Sequence, residues 1–143
     1  MVERTLALVK PDAYARGLTG QILARIEAKG YKLVALSVLT PTSEQLSEHY
    51  AEHAEKPFFG GLVQYMSSGP AVAIIVEGHR CIEGMRTLAG STDPTTAAPG
   101  TIRGDFGRDW GTGTIENIIH CSDSPAAAKR EIGIWFPGEN SGN

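Results

Sequence analysis

Four short stretches of the chain are almost entirely apolar and rich in β-branched residues. They are TLALV (5–9), YKLVALSVLT (31–40), PAVAIIVEG (70–78) and NIIHC (117–121). Runs of this length and composition are typical of strands in a buried sheet. The pattern therefore predicts four strands, and Pro11 ends the first of them because proline is disfavoured inside a central strand.

Elsewhere the apolar residues recur at helical spacing. In TGQILARIEAKG, Ile22, Leu23 and Ile26 form one stripe, which predicts an amphipathic helix. Thr19 is in a position to cap the start of this helix. Gly30 stands where a left-handed residue commonly ends a helix.

Further helices are indicated by their start and stop signals. Thr42 followed by Gln45 is a capping-box pattern at the start of PTSEQLSEHYAEHA, and Pro57 ends that segment. Ser124 can cap a last helix that begins at Pro125. Helical spacing also marks FFGGLVQYM (58–66) and RCIEGMRTLA (80–89).

The elements alternate in the order β-α-β-α-α-β-α-loop-β-α, which predicts an α/β type of fold. Periodicity alone leaves open whether the sheet is parallel or antiparallel. Residues 90–114 are rich in Gly, Pro, Thr and Asp and are predicted to form a long loop. Long loops inside compact domains are usually functional. The polar, glycine-rich residues 138–143 are predicted to form a flexible tail.

Size and composition fit a single domain over residues 1–143. The formal net charge of −3 argues against a general nucleic-acid or membrane-surface binder. AVAIIV (71–76) is too short to span a bilayer, and a charged pair interrupts the start of the chain where a signal peptide would be apolar. With two widely spaced cysteines and no zinc-type spacing, we expect a cytoplasmic protein with reduced thiols.

Two histidine patterns are open to more than one interpretation. HYAEH places His49 and His53 on one helix face, and we favour two solvated side chains over a metal pair because no third ligand is evident. His120 is followed by Cys121, but side chains of successive strand residues point to opposite faces. Cys121 is therefore expected in the core beside Ile119.

The surroundings of His120 favour a reacting group over a packed histidine. Alternation places Ser122 and Ile118 on the same face as His120, and Glu131 lies a short helix later. A carboxylate that holds one imidazole nitrogen leaves the other as a nucleophile.

Cations that suit phosphate binding are also present. Arg103 lies in the long loop, Arg86 in the preceding helix, and Lys10 at an exposed strand end. The residues by themselves therefore predict a histidine nucleophile facing a phosphate group, although each cation alone could be a surface charge.

Several blocks of the chain resemble the nucleoside diphosphate kinase family. They are ERTLALVKPDA, RGLTGQI, EHYAEHAEKPFFGGLVQYM, SGP, GSTDP, PGTIRGDF, NIIHCSDS and REIGIWF, and they run along nearly the whole length. The resemblance implies an antiparallel, four-stranded, ferredoxin-like sheet covered by helices. It also implies a homo-oligomer, commonly a hexamer, with a tetramer as the alternative.

The implied reaction moves the γ-phosphate of a nucleoside triphosphate onto a nucleoside diphosphate in two half-reactions. His120 would be the phosphorylated residue, and Mg²⁺ would be bound mainly through the nucleotide phosphates, with no metal-ligating residue in the chain. The positions that match phosphate and ribose contacts are Lys10, Tyr50, Arg86, Thr92, Arg103 and Asn117, with Lys10 and Tyr50 also catalytic. Phe58 matches the base-stacking aromatic, with Leu62 beside it, and Glu131 and Ser122 match the residues that support the histidine.

The resemblance changes one inference from alternation. If Asn117 and His120 both touch the nucleotide, the strand must begin after Asn117. The family usually has glycine at the positions of Cys121 and Ala13, and the segment 106–116 is longer than is common. These departures motivate an alternative function, a non-catalytic nucleotide-binding regulatory module on the same fold.

Overall fold

The computed structural model describes residues 2–53, 55–114 and 116–139. The strands are β1 (Val2–Val9), β2 (Lys32–Leu39), β3 (Ala71–His79) and β4 (Ile119–Cys121). The helices are α1 (Pro11–Ala15), α2 (Thr19–Ala28), α3 (Ser43–His49), α4 (Phe59–Met66), α5 (Cys81–Ala89), α6 (Ile102–Phe106) and α7 (Pro125–Trp135), with a 3₁₀ turn at Ala51–His53. All four predicted strands are present.

The strands form one sheet in the order β2-β3-β1-β4. Each neighbouring pair is antiparallel, which decides the question that hydrophobic periodicity left open. With helices on both faces, this is the ferredoxin-like fold that the resemblance implied.

Alternation along β1 separates two hydrophobic cores. Ala7 and Val9 belong to the cluster on one face of the sheet, which we call the first face. Leu6 and Leu8 belong to the cluster on the other face, the second face. The first face is covered mainly by α2 and α5, and the second by α3, α4 and α7.

The capping predictions have mixed outcomes. Thr42 and Gln45 form the predicted capping box, and the Ser124 hydroxyl accepts the amide proton of Ala127 at the start of α7. Gly30 has the predicted left-handed conformation, with φ of 100°. The Thr19 prediction is wrong, because Thr19 is the first helical residue and the chain enters α2 through Leu18.

One helix boundary and one predicted loop differ from the sequence prediction. α3 ends at His49, since the chain tightens into the 3₁₀ turn well before Pro57. The predicted loop 90–114 contains α6, which the Thr101 side chain caps by accepting the amide proton of Gly104. This five-residue helix is too short to show periodicity, yet it buries Ile102 and Arg103.

No helix within the described ranges combines the length and the apolar character that a bilayer crossing requires. The predicted tail over residues 138–143 falls outside the described residues from position 140 onward.

Candidate active site

β4 lies beside the end of β1, and its register decides where His120 points. His120 pairs with Leu8, and Cys121 pairs with Ala7. Because paired residues of an antiparallel sheet share a face, His120 lies on the second face, under α3 and α7. Cys121 lies in the first-face core, which confirms that the two neighbours are separated.

The turn that leads into β4 has an unusual backbone. Ile118 has φ of 76°, a conformation that is strained for a β-branched residue. Its N–H donates to Asp12 Oδ2 at 3.2 Å, and its carbonyl accepts the Lys10 amide proton at 2.8 Å. Because of this turn Ile118 packs in the first-face core, so its predicted place on the face of His120 is wrong. Asn117 precedes β4, as the resemblance required.

The His120 ring is held by Glu131. His120 Nε2 lies 2.7 Å from Glu131 Oε1, and the Ser122 hydroxyl donates to the same oxygen at 2.7 Å. Ser122 and Glu131 are buried, whereas the His120 side chain keeps 21% of its surface exposed. The Ser124 cap directs α7 so that Glu131, two turns along, returns to β4.

Burial and neighbouring charges set the protonation states of this pair. Burial lowers the pKa of His120, against the opposing effect of Glu131, and Lys10 and Arg103 lower it further. Burial would raise the pKa of Glu131, but hydrogen bonds from His120 and Ser122 outweigh it and lower that pKa. Glu131 is thus an ionised acceptor, His120 Nε2 carries the proton, and His120 Nδ1 keeps a free lone pair.

Lys10 and Asn117 form a linked pair beside His120. Lys10 Nζ donates to Asn117 Oδ1 at 2.7 Å, and Asn117 Nδ2 donates to the Thr92 carbonyl at 3.0 Å. Lys10 is only 8% exposed, and burial followed by the charge of Arg103 lowers its pKa to about 8. The prediction of an exposed Lys10 is therefore wrong, since the Asn117 loop covers it.

The two arginines brace the backbone around β4. Arg103 donates from three nitrogens to the carbonyls of Asn117, Gly90 and Ile119. Arg86 Nη1 donates to the Cys121 carbonyl at 3.1 Å. Arg86 and Thr92 line an open cleft of about 470 Å³ with Thr87, Gly90 and Ser91.

Three further predicted residues belong to the elements that cover the second face. The Tyr50 hydroxyl is buried and has no hydrogen-bond partner among the described atoms. Phe58 is 53% exposed at the start of α4. Leu62, one turn later, packs against the second-face core.

The sequence interpretation missed His49. It was expected to be solvated, but it is 4% exposed and its ring contacts His120 edge-on, with centroids 4.4 Å apart. Trp135 Nε1 donates to His49 Nδ1 at 3.0 Å. A signal was present, because His49 lies three residues after the buried Leu46 and so falls on the apolar stripe of α3.

Cys121 fits its position without strain. Ile118 and Arg80 are the non-glycine residues with positive φ in the described ranges, so Cys121 has an ordinary strand conformation. Its Sγ lies 3.7 Å from the Met85 carbonyl, and burial raises its pKa to about 11. Cys121 is therefore a protonated packing residue, and Ala13, the other departure, is likewise fully buried.

The longer segment 106–116 carries a half-exposed indole. Trp110 is 47% exposed, with the guanidinium of Arg108 at 4.5 Å and that of Arg16 at 5.6 Å from its ring centroid. Cation–π contacts of this kind attach the segment to the end of α1.

Comparisons with known proteins agree with this geometry. The family model described as nucleoside diphosphate kinase matches residues 3–141. A nucleoside diphosphate kinase of Nocardia farcinica is 56% identical over 138 residues, covering 96% of both chains. One from Archaeoglobus fulgidus is 53% identical over 135 residues, covering 94% of this chain and 87% of the other.

Solved structures show the same likeness. The halophilic nucleoside diphosphate kinase of Halobacterium salinarum, in complex with CDP, superposes with a TM-score of 0.89 at 47% identity. That match covers 96% of this chain and 89% of the other. The Aquifex aeolicus enzyme superposes with a TM-score of 0.88 at 45% identity, covering 96% and 97%.

Proposed function

The chain belongs to the nucleoside diphosphate kinase family and is a phosphotransferase of that type, and from this premise we propose that His120 carries the phosphoryl group between nucleotides. The observation that supports this role is the contact of His120 Nε2 with Glu131 Oε1 at 2.7 Å. This contact leaves Nδ1 of the partly exposed His120 side chain as a neutral nucleophile.

In the first half-reaction, His120 Nδ1 attacks the γ-phosphorus of a nucleoside triphosphate. The bond from Nδ1 to the γ-phosphorus forms, and the bond between the γ-phosphorus and the β–γ bridging oxygen breaks. The electron pair of the broken bond leaves on that oxygen with the nucleoside diphosphate. The imidazole becomes positively charged, and Glu131 stabilises that charge through the Nε2–H bond. The second half-reaction is the reverse, with another nucleoside diphosphate as the acceptor.

Positive and neutral donors around His120 suit the moving phosphoryl group. Phosphoryl transfer depends mainly on positioning and on stabilising charge at the equatorial oxygens. Lys10 and Arg86 supply positive charge, and Thr92 lies at the rim of the cleft beside Arg86. The Tyr50 hydroxyl, which has no partner among the described atoms, is available to donate to a phosphate oxygen.

Arg103 would contribute through the positive charge of its guanidinium group. It would also contribute through the guanidinium N–H groups that do not donate to the three backbone carbonyls. Asn117 is expected to contact the ribose or phosphates from the loop before β4. Phe58 offers an exposed ring on which a base can stack, with Leu62 beside it. Stacking accepts every base, so we propose nucleoside di- and triphosphates in general as substrates. The relative crystallised with CDP supports this proposal.

The donor set of the site fits Mg²⁺ that arrives on the nucleotide. Glu131 is engaged by His120 and Ser122, and Asp12 by Tyr65 and by the Ile118 N–H. The other side chains predicted to contact the nucleotide are cationic or neutral, so none of them is a carboxylate that could bind Mg²⁺. Mg²⁺ would therefore be held by the phosphate oxygens, where it neutralises charge on the nucleotide, while Lys10 and Arg86 contact the oxygens it leaves free.

We also infer a single-domain protomer that forms a homo-oligomer. One sheet with a core on each face supports the single domain. The edge strand β2 exposes Leu36 and Val38, at 47% and 54%, and such an apolar edge favours contact with a second copy.

Labelling by γ-labelled ATP without an acceptor tests the role of His120. The wild-type protein should form an acid-labile, base-stable phosphoprotein that loses its label to GDP. His120→Ala should not label. The matched control is His79→Ala, which changes a histidine at the opposite end of the sheet, where β3 pairs with Val2. Labelling of His120→Ala at the wild-type level would contradict the proposal.

A further inference from the structure

His49, His120 and Glu131 form a compact cluster of metal-ligating groups. One ligand atom from each lies within 4.8 Å of the others, and no other such group of three occurs in the described ranges. Two imidazoles and one carboxylate are a donor set found in catalytic zinc sites. Because this cluster contains the proposed nucleophile, His120, we asked which contact opposes the binding of a transition metal there.

That contact is the hydrogen bond between Trp135 and His49. An indole nitrogen can only donate, so His49 Nδ1 must be the acceptor in the 3.0 Å bond. A neutral imidazole has one protonated nitrogen, and His49 must therefore carry its proton on Nε2. With Nδ1 engaged and Nε2 protonated, His49 has no free lone pair for a metal.

Binding a metal through Nε2 would require the His49 proton to move to Nδ1. Two hydrogen-bond donors, His49 Nδ1–H and the indole N–H of Trp135, would then face each other without an acceptor. Both residues are only 4% exposed. Leaving buried donors unpaired is unfavourable. The indole thus opposes the tautomer that a metal needs.

α7 supplies the partners for both imidazoles. Glu131 and Trp135 lie four residues apart on this helix, so they project from one face, one turn apart. Glu131 accepts from His120 Nε2, and Trp135 donates to His49 Nδ1. Of the four imidazole nitrogens, only His120 Nδ1 is left with an unengaged lone pair.

We propose that Trp135 is a positioning residue that fixes His49 in the Nε2–H tautomer and so prevents the His49–His120–Glu131 cluster from capturing a divalent transition metal. The consequence for catalysis rests on the proposed role of His120. A metal shared by His120 and Glu131 would replace the proton on His120 Nε2, the nitrogen beside Glu131 Oε1, and the proton would move to Nδ1, the nucleophilic nitrogen. The tautomer and the metal affinity are properties of the nucleotide-free protein.

The tautomer is measured directly on the wild-type protein. Long-range ¹H–¹⁵N spectra of histidine-labelled protein near neutral pH should show His49 neutral, with its proton on Nε2. A His49 that is protonated on Nδ1, or cationic, would overturn the proposal. This measurement needs no variant.

The metal affinity is measured with Trp135→Phe, which keeps an aromatic ring and removes the donor. Titration of the nucleotide-free protein with Zn²⁺ should show about tenfold tighter binding than in the wild type, the size expected for losing one buried hydrogen bond. Co²⁺ in place of Zn²⁺ should give the absorption bands of a low-coordinate site.

The control is the double variant Trp135→Phe/His49→Phe, which lacks one ligand and retains His53 and His79. It should lose the added Zn²⁺ affinity. Equal Zn²⁺ affinity in Trp135→Phe and wild type, or added affinity that persists in the double variant, would overturn the proposal. Because no nucleotide is present, these outcomes are separate from phospholabelling of His120.

Discussion

At the scale of single residues, Lys10 combines a proposed catalytic role with an unusual protonation state. Lys10 is 8% exposed, and its pKa of about 8 lies well below the usual 10.5. Near pH 8 about half of the free protein therefore lacks this charge. If Lys10 contacts the nucleotide phosphates as proposed, they favour its charged form and raise its pKa, so nucleotide binding and proton uptake are linked.

We predict that nucleotide binding at pH 8 takes up about half a proton, and about a tenth of a proton at pH 7. Titration calorimetry in two buffers of different ionisation enthalpy measures this number. Lys10→Arg is the matched control, because arginine is always charged and its binding should show no such uptake. The same uptake in Lys10→Arg would assign the proton to another group.

His49 gives the protein a pH-dependent stability. Burial, and then the nearby His120, lowers the pKa of His49 to about 3, against an ordinary value of 6.5. Between these values the unfolded chain binds the proton and the folded chain does not. The contribution of His49 to stability is complete above pH 6.5 and is lost as the pH falls toward 3.

We predict that the free energy of unfolding decreases, on account of His49, by about 1.4 kcal/mol per pH unit below pH 6.5. Urea denaturation between pH 7 and pH 4.5 measures the slope. His49→Phe should show a shallower slope whatever its stability at neutral pH. An unchanged slope would show that His49 is protonated in the folded state.

At the scale of elements, the short α1 holds the strained turn before β4. The α1 residue Asp12 accepts the Ile118 N–H through Oδ2 and the Tyr65 hydroxyl proton through Oδ1. Tyr65 lies on α4, the helix that begins beside Phe58. Asp12 therefore connects the proposed base-stacking helix to the turn that places Asn117.

We predict that Asp12→Ala lowers the free energy of unfolding by about 2 kcal/mol, because the buried N–H of Ile118 loses its acceptor. The nucleotide dissociation constant should rise at the same time, because Asn117 and Lys10 lose their support. Urea denaturation and nucleotide titration measure the two effects.

Tyr65→Phe is the control for this prediction, since it removes one bond to Asp12 and leaves the bond to Ile118. It should cost about 1 kcal/mol and change nucleotide affinity less than Asp12→Ala does. If Tyr65→Phe weakens nucleotide binding as much as Asp12→Ala, the strained turn is not what Asp12 supports.

At the scale of the whole molecule, the sheet ends in an apolar edge. Within the described ranges β2 pairs only with β3, and Val38 is 54% exposed on it. We predict that Val38→Lys shifts the proposed oligomer toward smaller species, because a buried lysine charge opposes contact with a second copy. Sedimentation velocity over a range of concentrations measures the shift.

The matched control is Val2→Lys, which changes a valine of similar exposure, 52%, on the inner strand β1. It should leave the oligomer intact. Dissociation by Val2→Lys alone, with Val38→Lys unaffected, would place the contact surface elsewhere on the molecule.

The sequence by itself determined the four strands, most helix starts and the group of residues around His120. Strand alternation and local caps are set by neighbours in the chain, so they can be predicted from it. The same holds for the separation of His120 from Cys121. The short helices α1 and α6 could not be predicted, because five residues carry too little periodicity.

Only the tertiary structure decided the order of the strands in the sheet, the burial of Lys10 and the contact between His49 and Trp135. These depend on which elements meet, and the contact between Trp135 and His49 joins residues 86 positions apart. The strained turn at Ile118 depends on Asp12, 106 positions earlier. Contacts over such distances arise from packing the two faces of the sheet, and no local pattern in the chain encodes them.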